Sequence, residues 1–384
     1  MYLSPAQLTA ALTLRDLSDP AHGPHAMQAL LADVVQALCS AWVIPAAWHR
    51  TPALVSVEDN YDRLGFSADD VTRDRRYSRY ASETVMLRSH TSAGIPPLLR
   101  GLDSEQWPDA LHVLPGLVYR RDGIDRTHVG EPHQVDLWRI GPRDKLDAAG
   151  LGPAGRAGNA GAAAAMEAMV ASVVNAVLPG ARWRTVASAH PYTQGGRQVD
   201  VWVDGAWLEL AECGPVAPRL LAQAGLSPNA YGGLALGMGL DRALMLRKGI
   251  DDIRLLRSTD ERVASQMLDL GRYRPVSHQP AIARDLSVVV DEQVTDEAIG
   301  DTVREALGER AGDLESVVLL ARTPAAELPP AARERLRVRE GQVNALLRVV
   351  IRPLERTLTS AEANALRDEV YLAVHEGPVK ELIA

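Results

Sequence analysis

The chain has 384 residues, of which 46% are apolar and 23% charged, so it reads as an ordinary globular protein long enough for two domains. Its net charge of −8 excludes a protein that coats DNA or RNA, and any RNA contact must come from a local patch. Its two cysteines, Cys39 and Cys213, lie far apart, which excludes a disulfide scaffold and a CxxC zinc site and leads to the expectation of a reducing, cytoplasmic location. No run approaches the ~18 uninterrupted apolar residues of a membrane-spanning helix, and the opening residues lack the basic stretch of a signal peptide. No membrane partner is expected. The chain has a single phenylalanine, Phe66.

In chain order, residues 25–42 read as a helix. Met27, Leu30, Leu31, Val34, Val35 and Leu38 fall on one stripe of a 3.6-residue period, and Pro24 sits where helix starts tolerate it. Residues 113–122 and 133–140 read as strands joined by a polar loop. The Ala/Gly-rich stretch over 147–165 reads as a loop running into a helix at 161–178. Residues 198–210 form a hairpin, with Val199, Val201 and Val203 alternating and Asp204-Gly205 as the turn. An apolar strand at 233–238 leads into a helix at 240–248. A Pro-rich, polar boundary at 271–283 divides the chain into domains of 1–270 and 271–384. Beyond it come strand 284–291, helix 296–309, strand 315–321, strand 343–352 and helix 360–374, a βαββα order that suits a ferredoxin-like domain.

Two segments carry candidate chemistry. If 113–122 is a strand, Arg120 and Asp122 share one face, and on the return strand Gln134 and Asp136 share another. Such a charged face is a costly core but a useful pocket wall; it also suits the wet side of an antiparallel sheet. In 233–248, Gly237 and Gly239 leave room for a ligand against the backbone. Arg242 then falls in the first helical turn, where a cation opposes the helix dipole unless an anion lies nearby. The other reading is a surface arginine. Cys213 has no partner base and reads as a packed structural thiol.

Seven stretches together resemble the class II aminoacyl-tRNA synthetases, specifically the phenylalanyl-tRNA synthetase family. They are MLRSHTSA (86–93), GLVYRRDGIDRTHVGEPHQVD (116–136), PYTQ (191–194), WLEL (207–210), GLALGMGLDRALMLRKGIDDIR (233–254), RDLSVVV (284–290) and RTLTSAE (356–362). The resemblance implies an α+β fold: an antiparallel sheet core flanked by helices, then a ferredoxin-like, anticodon-binding-like domain. It implies activation of an amino acid by ATP and Mg2+ as an aminoacyl-adenylate, transfer to tRNA, and a homodimer as the candidate assembly. By this resemblance Arg120 and Arg242 are the catalytic arginines on the phosphates. Asp122, His128, Glu209 and Gly239 complete the ATP site, with Glu209 also the metal ligand. His90, Ser92, Gln134, Asp136, His190, Tyr192, Leu234 and Ala235 hold the amino acid.

The side-chain pocket departs from the family pattern. The family's FPFTEP reads His190-Pro191-Tyr192-Thr193-Gln194-Gly195, its FHQ-x-E reads Pro132-His133-Gln134-Val135-Asp136, and its GCGMV reads Glu212-Cys213-Gly214-Pro215-Val216. The glutamine expected shortly after HTSA is Ile95. Aromatic rings for a phenyl substrate are largely gone, forfeiting ~0.5–1.5 kcal/mol per pair, and polar groups take their place. Residues 272–384 hold 15 Lys and Arg against 19 Asp and Glu, a weak footprint for RNA. The alternative function is therefore a paralogous ligase that activates a different amino acid for an acceptor other than tRNA.

Overall fold

The computed structural model describes residues 2–101, 109–148, 159–276, 279–378 and 380. Most of the Ala/Gly-rich stretch lies outside those residues. The chain forms two compact units. The sheet unit comprises the chain up to Tyr119, Glu131–Ile250 and Gln266–Tyr273; the C-terminal unit comprises Arg120–Gly130, Asp251–Ser265 and the chain from Arg274. This grouping differs from a single division at 270, because Arg120–Gly130 and Asp251–Ser265 make their contacts with the C-terminal elements.

The strands of the sheet unit are β1 (Ala46–Trp48), β2 (Leu54–Ser56), β3 (Val85–Leu87), β4 (Leu111–Leu117), β5 (His133–Pro142), β6 (Trp183–Ala187), β7 (Arg197–Val203), β8 (Ala206–Pro215) and β9 (Tyr231–Gly239). Seven of them form one sheet in the order β1-β4-β5-β9-β8-β7-β6. Every pair in it is antiparallel except β1 with β4, so the expected antiparallel sheet is mixed at one edge. The β7–β8 turn is Asp204-Gly205, both at positive φ, 50° and 85°, as a two-residue hairpin demands.

The helix Ala26–Trp42 starts where the His25 ring accepts the Met27 N–H, one residue later than Pro24 suggested. Its stripe from Met27 to Leu38 is buried. Each such large apolar side chain contributes roughly 1.5–3 kcal/mol when fully buried. That stripe packs on this unit's own core. The helices Ala26–Trp42, Asn159–Val177 and Leu240–Lys248 pack together and against β4, β5, β8 and β9. They cover one sheet face, where Leu234, Leu236 and Met238 of β9 point, and leave the other for Ala235, Gly237 and Gly239.

The C-terminal unit pairs β10 (Ile282–Asp291) and β11 (Leu314–Pro324) with a central β12 (Gln342–Ile351), both antiparallel. The helices Asp296–Leu307 and Ser360–Val374 pack on it around Val288, Val303, Leu347 and Val370. The second helix opens with a reciprocal cap: Thr359 Oγ1 accepts from the Glu362 N–H at 3.2 Å, and Glu362 Oε2 accepts from the Thr359 N–H at 2.8 Å. Among the described residues the sheet has three strands. No helix among the described residues is long and apolar enough to cross a membrane.

Candidate functional site

Strand register builds a trough on the other face of the sheet, beside a cluster in which Trp138 and Ala235 pack with Ile95, Leu99 and Leu220. Asp136 of β5, Gly237 of β9 and Glu212 of β8 are direct cross-strand partners and so form one row. Gln134 pairs with Gly239 on one side of that row, and Trp138 with Ala235 and Gly214 on the other. A methyl group at Gly237 or Gly239 would meet no atom within 4 Å, whereas one at Gly233 would lie 2.2 Å from the Arg139 carbonyl oxygen. Gly233 is therefore required by strand packing, and the space over Gly237 and Gly239 stands open. A small, partly open cleft lies beside Gly237, lined by Asp136, His190, Tyr192, Glu212 and Ala235 among others.

Asp136 is the most buried acid of the trough, 3% exposed. Its carboxylate accepts from Thr91 Oγ1 at 2.5 Å, Ser92 Oγ at 2.9 Å and Trp138 Nε1 at 2.8 Å. Burial nevertheless outweighs those bonds and raises its pKa above the ordinary carboxylate value. A buried carboxylate in that condition favours a nearby cation. His90, on the same LRSHTS segment, stacks on Phe66 with ring centroids 5.5 Å apart, and Phe66 lies 6.4 Å from Tyr192. The chain's one phenylalanine thus stands behind the trough wall.

The opposite wall is a histidine–carboxylate pair. His190 Nε2 lies 2.6 Å from Glu212 Oε2, and Ser188 Oγ donates to Glu212 Oε1 at 3.2 Å. The hydrogen bond to Glu212 raises the His190 pKa above the ordinary imidazole value. Partial desolvation and the Glu212 charge hold the Glu209 carboxyl above its ordinary value too, against the pull of Arg242. Arg242 is half-buried in the first turn of Leu240–Lys248, and its Nη1 donates to the Glu209 carbonyl oxygen at a long 3.4 Å. Cys213 borders the cavity as a neutral thiol, its pKa pushed up to about 12 by burial.

Arg120, Asp122 and His128 belong to the C-terminal unit. The regular strand ends at Leu117, so Arg120 and Asp122 do not share a strand face as expected. A different set of contacts shapes Arg120–Gly130. Ile124 is buried in the C-terminal core and its carbonyl accepts from the Val317 N–H at 2.9 Å. Arg304 donates from both terminal nitrogens to the carbonyls of Asp122 and Gly123, at 2.5 and 2.6 Å. Asp125 turns the tip by accepting from the Thr127 and His128 N–H groups, and it pairs with His128 Nδ1 at 2.7 Å, which lowers its pKa. Burial raises the Asp122 pKa, with His128 opposing.

The trough therefore gathers Ser92, Gln134, Asp136, His190, Tyr192, Glu209, Ala235, Gly239 and Arg242 on the sheet unit, with His90 beside it. Leu234 is a correction. The two-residue period of β9 turns it to the helix-covered face, away from Ala235. Sequence reasoning missed two supports. Thr91 shares Asp136 with Ser92, a role visible only once β5 and the LRSHTS segment meet. Asp241 accepts from the His133 backbone N–H, and His133 Nδ1 lies 3.1 Å from it. Because His133 Nε2 accepts from the Leu17 N–H at 2.9 Å, Nδ1 carries the ring proton. This buried pair ties the start of β5 to the helix that bears Arg242.

A family model described as "tRNA synthetases class II core domain (F)" matches residues 25–149 and 161–267. The chain is 28% identical over 364 residues to a probable phenylalanine–tRNA ligase, mitochondrial, of Drosophila melanogaster, covering 83% of this chain and 75% of the relative. It is 29% identical over 321 residues to a phenylalanine–tRNA ligase, chloroplastic/mitochondrial, of Arabidopsis thaliana, covering 83% and 68%. With the phenylalanine–tRNA ligase alpha subunit of Prochlorococcus marinus (strain NATL2A) it shares 35% identity over 207 residues, spanning 54% of this chain and just over half, 56%, of that subunit. The organellar names of the first two overturn the cytoplasmic location expected from cysteine usage. Two unpaired cysteines carry no cellular address.

Proposed function

Because the chain belongs to the class II tRNA synthetase core family, we propose that it is a phenylalanyl-tRNA synthetase-like ligase that activates an amino acid with ATP and transfers the acyl group to tRNA. One observation supports this reading best. A single cross-strand row sets a buried carboxylate, an open glycine and a second carboxylate around a cavity, with Arg242 beside Glu209 in the same unit.

In this reading Asp136 holds the α-ammonium of the amino acid, with Ser92 and Thr91 fixing the carboxylate's orientation. Gln134 and His90 orient the carboxylate of the substrate. That carboxylate attacks the α-phosphorus of ATP in line, pyrophosphate leaves, and an aminoacyl-adenylate remains. No side-chain nucleophile is needed, so catalysis is positioning and charge stabilisation. Arg242 supplies a permanently charged, bidentate phosphate contact, which resolves the otherwise unfavourable cation at a helix start. The open space over Gly237 and Gly239 is what a nucleotide approaching the backbone requires. For Arg120, Asp122 and His128 the nucleotide role is the one the resemblance implies, and Arg120→Ala is its test.

Among the described residues no group of three or more His, Cys, Asp or Glu forms a ready cation cage. Mg2+ does not need one, since it binds through one or two carboxylates together with substrate phosphates. Glu209, held above its ordinary pKa by desolvation and Glu212, fits that donor role. Glu209 would hold the ion there, and the chemistry it would supply is positive charge beside the phosphates. The C-terminal unit, with its βαββα order, is proposed as a ferredoxin-like domain that contacts the tRNA.

Amino-acid-dependent ATP–pyrophosphate exchange tests the activation step, and charging of total tRNA tests the acceptor. Exchange with no amino acid contradicts activation. Exchange without charging of any tRNA favours the ligase for another acceptor.

A further inference from the structure

We infer that His190 and Glu212 are specificity-determining residues and that the cavity takes an amino acid with an uncharged, hydrogen-bond-donating side chain, hydroxyl or carboxamide, in preference to phenylalanine. This rests on the reading of the trough as the amino-acid site. Two carboxylates line the cavity, and they are not equivalent. Asp136 lies at one wall, among three donors of the protein and, among the described residues, with no basic group bonded to it. It suits the α-ammonium. Glu212 lies at the other wall, across Gly237 in the same row, so it faces whatever extends from the substrate's Cα.

His190 already engages one Glu212 oxygen at 2.6 Å, so a cationic side chain would have to compete with the imidazole for this carboxylate. It does offer hydrogen bonding. A carboxylate has about four lone-pair sites, and Glu212 uses one on His190 and one on Ser188. A neutral donor reaching the wall gains a charge-assisted bond. A phenyl ring there would strip water from a partly solvated carboxylate and return no hydrogen bond, and a site built for a polar group rejects analogues lacking that group by large factors. Tyr192, 5.8 Å from both the His190 and Trp138 rings, provides the apolar side of the same cavity.

The test is calorimetric titration of the full chain, without nucleotide, with tyrosine, glutamine, asparagine, serine, threonine, phenylalanine, leucine and lysine. At least one hydroxyl- or carboxamide-bearing amino acid is expected to bind roughly 100-fold or more tightly than phenylalanine. Glu212→Gly with His190→Phe is expected to collapse that ratio to below ~10-fold, while Glu212→Gln, which keeps an acceptor, retains part of it. A thermal melt of each variant reports folding separately. Phenylalanine or lysine binding tightest, or a ratio unmoved by the double variant, overturns the assignment. Selective binding that supports no pyrophosphate exchange upholds the cavity's selectivity and defeats the activation reading instead.

Discussion

The trough over β9 and the segment Arg120–Gly130 both present charged residues, but different forces hold them. In the trough, position follows from strand register. Asp136, Gly237 and Glu212 are locked in a row by backbone pairing, and the two carboxylates, separated by the glycine, do not pack on each other. In the segment, position follows from side chains: Ile124 in the C-terminal core, Arg304 on two carbonyls, Arg121 against Asp301 at 3.4 Å. The contrast teaches where function and stability separate. Substitutions in the trough act on ligands, and substitutions beneath the segment act on folding.

The largest expected effect is on chemistry. Arg242→Ala should lower pyrophosphate exchange by roughly 10³-fold, as loss of a preorganised charge contact does. Its melting temperature should barely change, because among the described residues the guanidinium makes a single, long bond at 3.4 Å. Asp136→Ala sits between the two classes. It should destabilise the fold by about 1–3 kcal/mol in denaturant titrations, since buried donors lose their acceptor, and raise the KM for the amino acid.

Two glycines then sharpen the comparison. A methyl at Gly300 would lie 2.6 Å from the Asp122 carbonyl oxygen. Gly300→Ala should therefore cost about 1–3 kcal/mol and speed hydrogen exchange across 120–130. Gly237→Ala has open space around it and should leave stability intact while weakening amino-acid binding. Equal effects on stability from both changes would break the distinction.

The smallest effect is a pH dependence. His190 has its pKa raised by Glu212, so its contribution is fully present below the unfolded value of ~6.5 and fades as pH rises through the folded value. The melting-temperature advantage of the wild type over His190→Gln should shrink from pH ~6 to pH ~9. A constant difference would mean the pair is not an ion pair.

Much of this architecture is legible in the residues themselves. The stripe of Ala26–Trp42, the Asp204-Gly205 turn and the passage from β9 into Leu240–Lys248 are local patterns, and local patterns survive folding. Alternation along β5 is enough to place Gln134 and Asp136 on one face. What is not legible is long-range. Phe66 meets His90, Asp241 meets His133 and Arg304 meets the segment after Tyr119 through contacts that no period or spacing announces. The expected strand to residue 122 fails for the same reason, since Ile124 and Arg304 draw those residues to another core. Leu234, a pocket residue by resemblance, is turned away from the pocket by the period of its own strand.

The most direct test of the central claim is pyrophosphate exchange by the intact chain across all twenty amino acids, beside Arg242→Ala. The account predicts exchange that requires one amino acid and disappears in the variant. Exchange that persists undiminished in Arg242→Ala, or that no amino acid elicits from the folded wild type, would contradict it.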